Sequence, residues 1–504
     1  VLSAEQAAAV AADLLAVRRE DYAELHRIHE AAEGDIPPGY IPRDARQEFR
    51  WLVEQSPVNL ISKIVDSHVA SLFVDGYRSP EAKENLESWS QWQANRMDAR
   101  QTGVHRCALE YGTSYVRVLP GDTAPAWAPF SPRDLTAVYA DSVNDEWPEY
   151  AMTVKGEDSR LAVDVIAPDF IYHFTAKNAD DTRPEFTGAD RHGVPWCPVV
   201  RFQSDYSLDD DSRGLVEPLM SLQAQVNLTS FSLMIAMQFS AFKQKWVSGL
   251  ELPRDEQDRP IEPFKAAVNR LFVAEGEGTK FGQFDATDLG QYLAAREDAV
   301  RLMSTIGNVP PHTVLGALAN LSAESLAAAE VSKTRYEDTV RLLFGEAWEQ
   351  TFRLSRYVAG ETEAVNDVSA QVVWRDTEAR SQAQITDAAV KLRSIGFPIS
   401  YIAEMLGTAP QDLPQLLADI DAETTSKAVA QAQSFGVMAA PSGEDAAAIK
   451  AKADAMGVLI RAGVDPQDAA DKVGMGDVDF TGAVPTSLRL PTTDARSLEG
   501  GSGP

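Results

Sequence analysis

Apolar residues recur at helical spacing through the first hundred positions. Val10, Leu14, Val17, Tyr22, Leu25 and Ile28 predict one helix over 7–28. Leu60, Ile61, Ile64, Val65, Val69 and Leu72 predict another, opened by Ser56-Pro57 because proline suits the first helical turn. Between them, Asp35-Ile-Pro-Pro-Gly-Tyr-Ile-Pro42 reads as a rigid loop. Trp89, Trp92 and Met97 belong to a further helix running toward Leu109. From Ser114 the period shifts toward two. Short strands are expected at 114–119, 135–140, 150–154, 161–166, 170–174 and 199–202, parted by turn residues such as Pro120-Gly121, Asp141-Ser142 and Gly193.

The second half returns to helix. Pro218 to about Phe242 is one helix, followed by an insert over 244–285 rich in proline and glycine, then a returning helix from Leu289 to Ile306. Residues 307–321 read as an exposed loop, and Ser322 as the N-cap of a helix over 323–359. At about 1.5 Å per residue that helix spans about 55 Å. Val340, Phe344, Trp348 and Phe352 form its apolar stripe. After a strand at 370–374, the remainder is helical and repeats itself. Asp387, Ala388, Leu392, Gly396, Ala403 and Gly407 recur as Asp454, Ala455, Leu459, Gly463, Ala470 and Gly474, each 67 residues on. Each copy reads as helix, glycine cap, turn and second helix. Residues 491–504 read as a flexible tail. The fold class is therefore α+β and predominantly helical.

Composition narrows the function. The 504 residues are 44% hydrophobic and 24% charged, which suits a folded chain of about three domains. Lys and Arg number 46 against 75 Asp and Glu, a net charge of −29, which excludes binding nucleic acid through an overall basic field. The acidic residues concentrate over 122–190, with fourteen Asp or Glu against five Lys or Arg, read as a solvated outer face. Two cysteines, Cys107 and Cys197, make no disulfide framework or zinc pair, are read as buried apolar residues, and fit a reducing compartment. The N-terminus lacks the basic flank and apolar run of a signal peptide. No charge lies between Glu217 and Lys243, yet Gln223, Gln225, Asn227, Thr229, Ser230, Ser232, Gln238 and Ser240 would all have to enter lipid. This helix is read as packed between protein neighbours, with no membrane as partner.

Candidate chemistry is sparse. The chain has no phosphate-binding loop, dinucleotide fingerprint, HExxH or GxSxG elbow. His26 and His29 share a helical face without a third ligand, and His312 stands alone in its loop. No catalytic residue, metal or cofactor is assigned. What stands out is a mixed body leading into an uncharged helix, a small insert, a returning helix, an uncharged loop and a very long helix. Two antiparallel helices with an insert at their tip make a stalk, and a stalk needs neighbours to cover its sides.

That order resembles the portal proteins, or head–tail connectors, of long-tailed bacteriophages, especially those of actinobacterial hosts. The likeness is carried by Ser-Pro-Val-Asn-Leu-Ile-Ser-Lys-Ile-Val-Asp (56–66), Leu-Phe-Val-Asp-Gly-Tyr-Arg (72–78), Glu-Tyr-Gly-Thr-Ser-Tyr-Val (110–116) and Pro-Phe-Ser-Pro-Arg-Asp (129–134). It continues in Val-Pro-Trp-Cys-Pro-Val-Val (194–200), Glu-Pro-Leu-Met-Ser-Leu-Gln-Ala-Gln-Val-Asn (217–227) and Asn-Val-Pro-Pro-His-Thr-Val-Leu-Gly (308–316). The resemblance implies a ring of usually twelve copies at a capsid vertex, assembled in the host cytoplasm, through which double-stranded DNA is packaged and ejected.

In that scheme residues 1–202 form a wing, helical first and β-rich from about 114. Residues 203–243 and 286–306 carry the two stem helices, 244–285 the clip, 307–321 the tunnel loop, 322–380 the long helix and wing return, and 381–490 the crown. The resemblance places Asn308, Val309, Pro310, Pro311, His312, Thr313, Val314, Leu315 and Asn320 at the DNA channel. It places Leu222, Val226, Ser230, Phe231, Met234 and Met237 in stem packing, and Trp246, Leu250, Phe264, Leu271 and Phe272 in clip docking. The implied partners are further copies of the chain, the terminase packaging motor, a head–tail adaptor, and the major capsid and scaffolding proteins. The alternatives weighed are an acidic cytoplasmic enzyme with a helical substrate domain, or another virion structural protein.

Overall fold

The computed structural model describes residues 1–37, 47–78, 82–156, 160–178, 180–208, 212–241, 245–248, 280–283, 288–316, 323–375, 382–406, 408, 412–434, 443–461, 463–476 and 478. The chain divides into two compact units, Val1–Leu413 and Pro414–Pro504.

The first unit opens with α1, Ala4–Glu33. Ser3 and Gln6 cap it reciprocally, Ser3 Oγ accepting from the Gln6 amide and Gln6 Oε1 from the Ser3 amide, and Gly34 ends it in the left-handed region. After α2 (Gln47–Gln55) comes α3 (Leu60–Val69), which starts later than Ser56-Pro57. Asn59 is its cap, its Oδ1 accepting from the Ser62 amide at 3.0 Å while its Nδ2 donates to Ala32 O at 2.7 Å. Strand β1 (Val74–Arg78) precedes α4 (Ala82–Ala94) and α5 (Met97–Tyr111).

The expected single helix through Trp92 and Met97 is thus two. Asn95 breaks it, because its side chain donates to Gln91 O and to Pro125 O and accepts from the Trp127 amide, and Arg96 turns left-handed at φ 55°.

Eight strands follow: β2 (Thr113–Leu119), β3 (Ala126–Phe130), β4 (Leu135–Val138), β5 (Tyr150–Lys155), β6 (Leu161–Ile166), β7 (Phe170–Ala176), β8 (Glu185–Arg191) and β9 (Val199–Gln203). They make an antiparallel sheet in the order β3-β2-β9 and a five-stranded meander, β4 to β8. Strands β1, β3 and β8 were not expected. β8 is an edge strand exposed along nearly its whole length, so it shows no alternation to read.

The chain then runs through α6 (Val216–Ala241), the antiparallel pair β10 (Lys245–Ser248) and β11 (Lys280–Gln283), and α7 (Gly290–Ile306). The expected loop after it contains a helical turn, α8 (Pro311–Leu315), because Pro311 stands at N1 and Gly316 closes the turn at φ 69°. The long helix α9 (Ala323–Val358) leads to β12 (Gln371–Trp374), which pairs with β1, and to α10 (Gln382–Ser394) and α11 (Ile399–Met405).

Three cores hold this unit, the smallest joining Leu135, Ile166 and Cys197 between the two sheets' strands. On the five-stranded sheet, α1 buries Ala7, Ala11, Leu14 and Leu15 against Met152, Val163, Val165 and Phe174. In the larger core the α9 stripe, Val340, Phe344, Trp348 and Phe352, is fully buried. It packs on α3, α5 and β2–β9 residues, with Trp92, Trp127 and Phe202 around it. At about 25 cal/mol per Å², such side chains stabilise by roughly 1.5–3 kcal/mol each. Cys197 is buried, whereas Cys107 is only half-buried. Burial pushes both thiols up, Cys107 to about 12, which leaves them protonated and unreactive.

Helix α12 (Leu413–Ser434) begins on the last residue of the first unit, and the second unit holds the rest of it with α13 (Gly443–Arg461) and α14 (Pro466–Lys472). The repeat is visible in backbone geometry: Gly396 after α10 and Gly463 after α13 are both left-handed, at φ 99° and 89°. Gly407 lies outside the described residues, as does Ser322.

Candidate channel and subunit-contact surfaces

Helix α6 leaves the body where two backbones cross. Gly112 ends α5 at φ 93°, and Gly214 precedes α6; a Cβ at either would lie 2.1 Å from the opposing carbonyl, Ser212 O or Glu110 O. Leu215 N donates to Leu109 O at 2.7 Å across the crossing. Glycine is required here by close approach, and the crossing fixes the direction in which α6 departs.

Along α6 the environment changes by halves. In the first half Leu219, Leu222, Gln223, Val226 and Asn227 are buried within the subunit. Gln223 Oε1 accepts from the Leu60 amide and its Nε2 donates to Val58 O, while Asn227 Nδ2 donates to Ile36 O at 2.7 Å. These amides, expected between subunits, thus satisfy backbone groups of the same chain, so α6 begins as a core helix. In the second half burial falls away. Phe231 is half-buried, edge-on to Phe49 at 5.1 Å, Met234 is half-buried, Leu228 is 49% exposed and Met237 52%.

Helix α7 packs antiparallel on α6 and buries Ala299, Val300 and Met303. Leu293, Leu302 and Ile306 stay exposed. Leu293 and Leu302 are nine residues apart, on opposite sides of the helix. That spacing, legible in the sequence, gives α7 more than one apolar face.

The stem set therefore splits. Leu222, Val226 and Ser230 are buried in the subunit, and Phe231, Met234 and Met237 lie on the less buried half. Ser230 Oγ is buried without a hydrogen-bond partner.

The loop set splits as well. Asn308, left-handed at φ 52°, follows Gly307; Val309 and Pro310 are buried. His312, Thr313 and Val314 are half-buried, Val314 against the larger core, and Pro311, Leu315 and Gly316 are exposed. His312 Nε2 lies 3.5 Å from Glu330 of α9. The exposed tip carries no charged side chain. Asn320 lies outside the described residues, as do Leu250, Phe264, Leu271 and Phe272; Trp246 stands in β10 opposite Gly282.

Other sequence candidates resolve as structural groups. His29 Nδ1 meets the Tyr111 hydroxyl at 3.1 Å, and His26 lies 3.3 Å from Glu30. Part of the acidic segment builds turns: Asp141 accepts from the Asn144 side chain and from the Val143 and Asn144 backbone amides, and Asp181 from the backbone amides of Lys177 and Arg183, which lowers both carboxyl groups. Asp164 and Asp190 flank His173 across the sheet, and these bonds outweigh burial to raise its imidazole. Among the described residues no group of three or more His, Cys, Asp or Glu is placed to hold a metal, and no helix is long and apolar enough to cross a membrane.

The first unit thus combines two larger sheets and a long helix buried along one stripe with a half-uncovered helical pair that has an uncharged loop at its root. Residues 17–402 match the family described as "Phage portal protein, SPP1 Gp6-like", and the chain belongs to that family. It is 26% identical over 359 residues to the portal protein of Mycobacterium phage D29, covering 66% of this chain and 71% of that protein. It is 25% identical over 353 residues to the portal protein of Mycobacterium phage L5, with the same coverages. Among solved structures, it is similar to a chain in the neck of the empty GTA particle, at 12% identity and a TM-score of 0.41 over 73% of this chain and 95% of that one. A chain of the native gene transfer agent virion gives 13% identity and 0.41 over 71% and 92%.

Proposed function

We propose that copies of this portal-family subunit close into a ring, of twelve copies, whose central hole passes double-stranded DNA. The second half of α6 and the outer side of α7 lie between neighbours, and residues 308–316 face the duplex. The observation that carries this reading is the joined pair of surfaces. Leu228, Met237, Leu293, Leu302 and Ile306 are large apolar side chains left open on one helical limb, and the loop at its root has an uncharged tip. A ring of heterologous contacts covers such a limb on both sides without leaving an open interface.

The charge supports passage rather than capture. Duplex DNA carries one negative charge per roughly 1.7 Å, and each cationic contact to phosphate would hold it through counterion release. A chain of net charge −29 with an uncharged loop lets the duplex slide. The role is structural rather than enzymatic. The insert over 244–285 forms the clip that meets the packaging motor and later the head–tail adaptor, 1–202 and 322–380 form the wing, and 381–490 the crown. Capsid and scaffolding proteins surround the ring at the virion vertex, after assembly in the host cytoplasm.

The experiment is substitution at Leu315, whose side chain is exposed at the loop tip. Leu315→Arg and Leu315→Asp are each expected to leave ring assembly intact and to reduce packaged DNA per particle. Normal packaging by both variants removes the loop from the channel.

A further inference from the structure

His68 sits on α3 with no exposed surface, and both of its ring nitrogens face acceptors. Nε2 is 2.8 Å from the carbonyl oxygen of Gly307, the residue that ends α7 and starts the channel loop. Nδ1 is 3.2 Å from Oε1 of Glu337 on α9. A carbonyl oxygen only accepts, so Nε2 carries a hydrogen. The second contact needs another, on Nδ1 or on the carboxyl group, because a ring lone pair and an ionised carboxylate oxygen would repel. One shared proton therefore completes a link from the loop root through α3 to α9.

Further contacts converge on the same root. One turn before His68, Ile64 presses on the same glycine, where a Cβ would come within 2.7 Å of its Cγ2. From α9, Lys333 Nζ lies 3.6 Å from Glu337 and the Tyr336 ring meets the His68 ring edge-on at 4.9 Å. On α3 itself, Asp66 is paired with Arg106 of α5. Asn308, Val331, Ser332 and Tyr336 line an open cleft of about 520 Å³ beside the root, which gives the loop room to shift.

We infer that His68 is a positioning residue for the channel loop, and that the proton it shares with Glu337 latches the loop root to α9. The inference rests on the proposed channel role only for its consequence; the latch itself is tested without DNA. Hydrogen exchange of the 304–316 backbone is measured in the full-length protein, corrected for intrinsic exchange. Glu337→Gln offers an amide N–H to Nδ1, so protection should persist, whereas Glu337→Leu removes the partner and should speed loop exchange several-fold. His68→Phe keeps the ring packing but removes both bonds, and should speed loop exchange at least tenfold while the five-stranded sheet is unchanged.

Protection in Glu337→Leu and His68→Phe equal to that of the unaltered protein overturns the latch. Should His68→Phe fail to fold, the contrast between Glu337→Gln and Glu337→Leu decides. If exchange follows the latch while the Leu315 variants package normally, the latch stands and the channel reading fails. The opposite pair of results does the reverse.

Discussion

Gln223 and Asn227 stand one turn apart on α6, and the amide of the first donates to Oδ1 of the second at 2.8 Å. The pair is turned inward, Asn227 Oδ1 also accepting from the Val58 amide at 3.2 Å. Removing either side chain takes a partner from half-buried backbone groups of the 58–60 segment, at about 0.5–1.5 kcal/mol for each bond. Asn227→Leu is therefore expected to lower the urea midpoint of the unassembled subunit. An unchanged midpoint with lost assembly would mean that these amides act between subunits.

Leu228, next to Asn227 but turned outward, and Met237, farther along the helix, should behave in the opposite way. Each is about half exposed, so a charge costs the isolated subunit little. In a closed ring the same charge would be desolvated without a partner. Met237→Asp is expected to leave the thermal midpoint within a degree or two and to abolish higher oligomers in analytical ultracentrifugation.

Acid should unfold the core through His105. Its Nδ1 lies 3.0 Å from Leu72 O, and its Nε2 accepts from Trp348 Nε1 at 2.8 Å, so both positions are filled by the neutral ring. Burial holds the imidazole down to about 3, against 6.5 in an exposed histidine. The folded state therefore binds fewer protons. The stabilisation is full above pH 6.5 and is lost as the pH falls toward 3, by up to about 1.4 kcal/mol per pH unit. Burial also lowers His29 and His192, which act in the same direction. Denaturant titrations of the unaltered protein and His105→Gln should differ in slope between pH 6.5 and 5, the variant being flatter. Parallel curves would mean that His105 is charged in the fold.

The crossing below α6 predicts a sharp contrast among glycines. Gly112→Ala and Gly214→Ala each drive a methyl group into a carbonyl oxygen, and a loss of more than about 3 kcal/mol or insoluble protein is expected. Gly188→Ala on β8 meets no atom within 4 Å and should be tolerated. Soluble expression and thermal melting of the three variants provide the check.

Much of this was legible where local pattern and tertiary role coincide. The Val340–Phe352 stripe is one turn per residue and became the buried face of α9, and the repeated glycines became left-handed caps. The misses have tertiary causes. Asn95 breaks a helix by bonding to Pro125, thirty residues on, and β1 finds its partner near residue 372. Helix α6 is apolar or amide-bearing on all sides, so its pattern could not show that Leu222 and Val226 face the subunit while Met237 does not. The loop's lack of charge was plain in the sequence; its anchoring through His68 and Glu337, 269 residues apart, was not.

The central claim is that the α6–α7 limb is covered only by other copies arranged about an open axis. Electron microscopy of the full-length protein co-expressed with its capsid and scaffolding proteins tests it most directly. The account predicts annular particles, viewed down their symmetry axis as a ring with residues 308–316 at the rim of the hole. A monomer in those conditions, or a closed particle with no central opening, would contradict it.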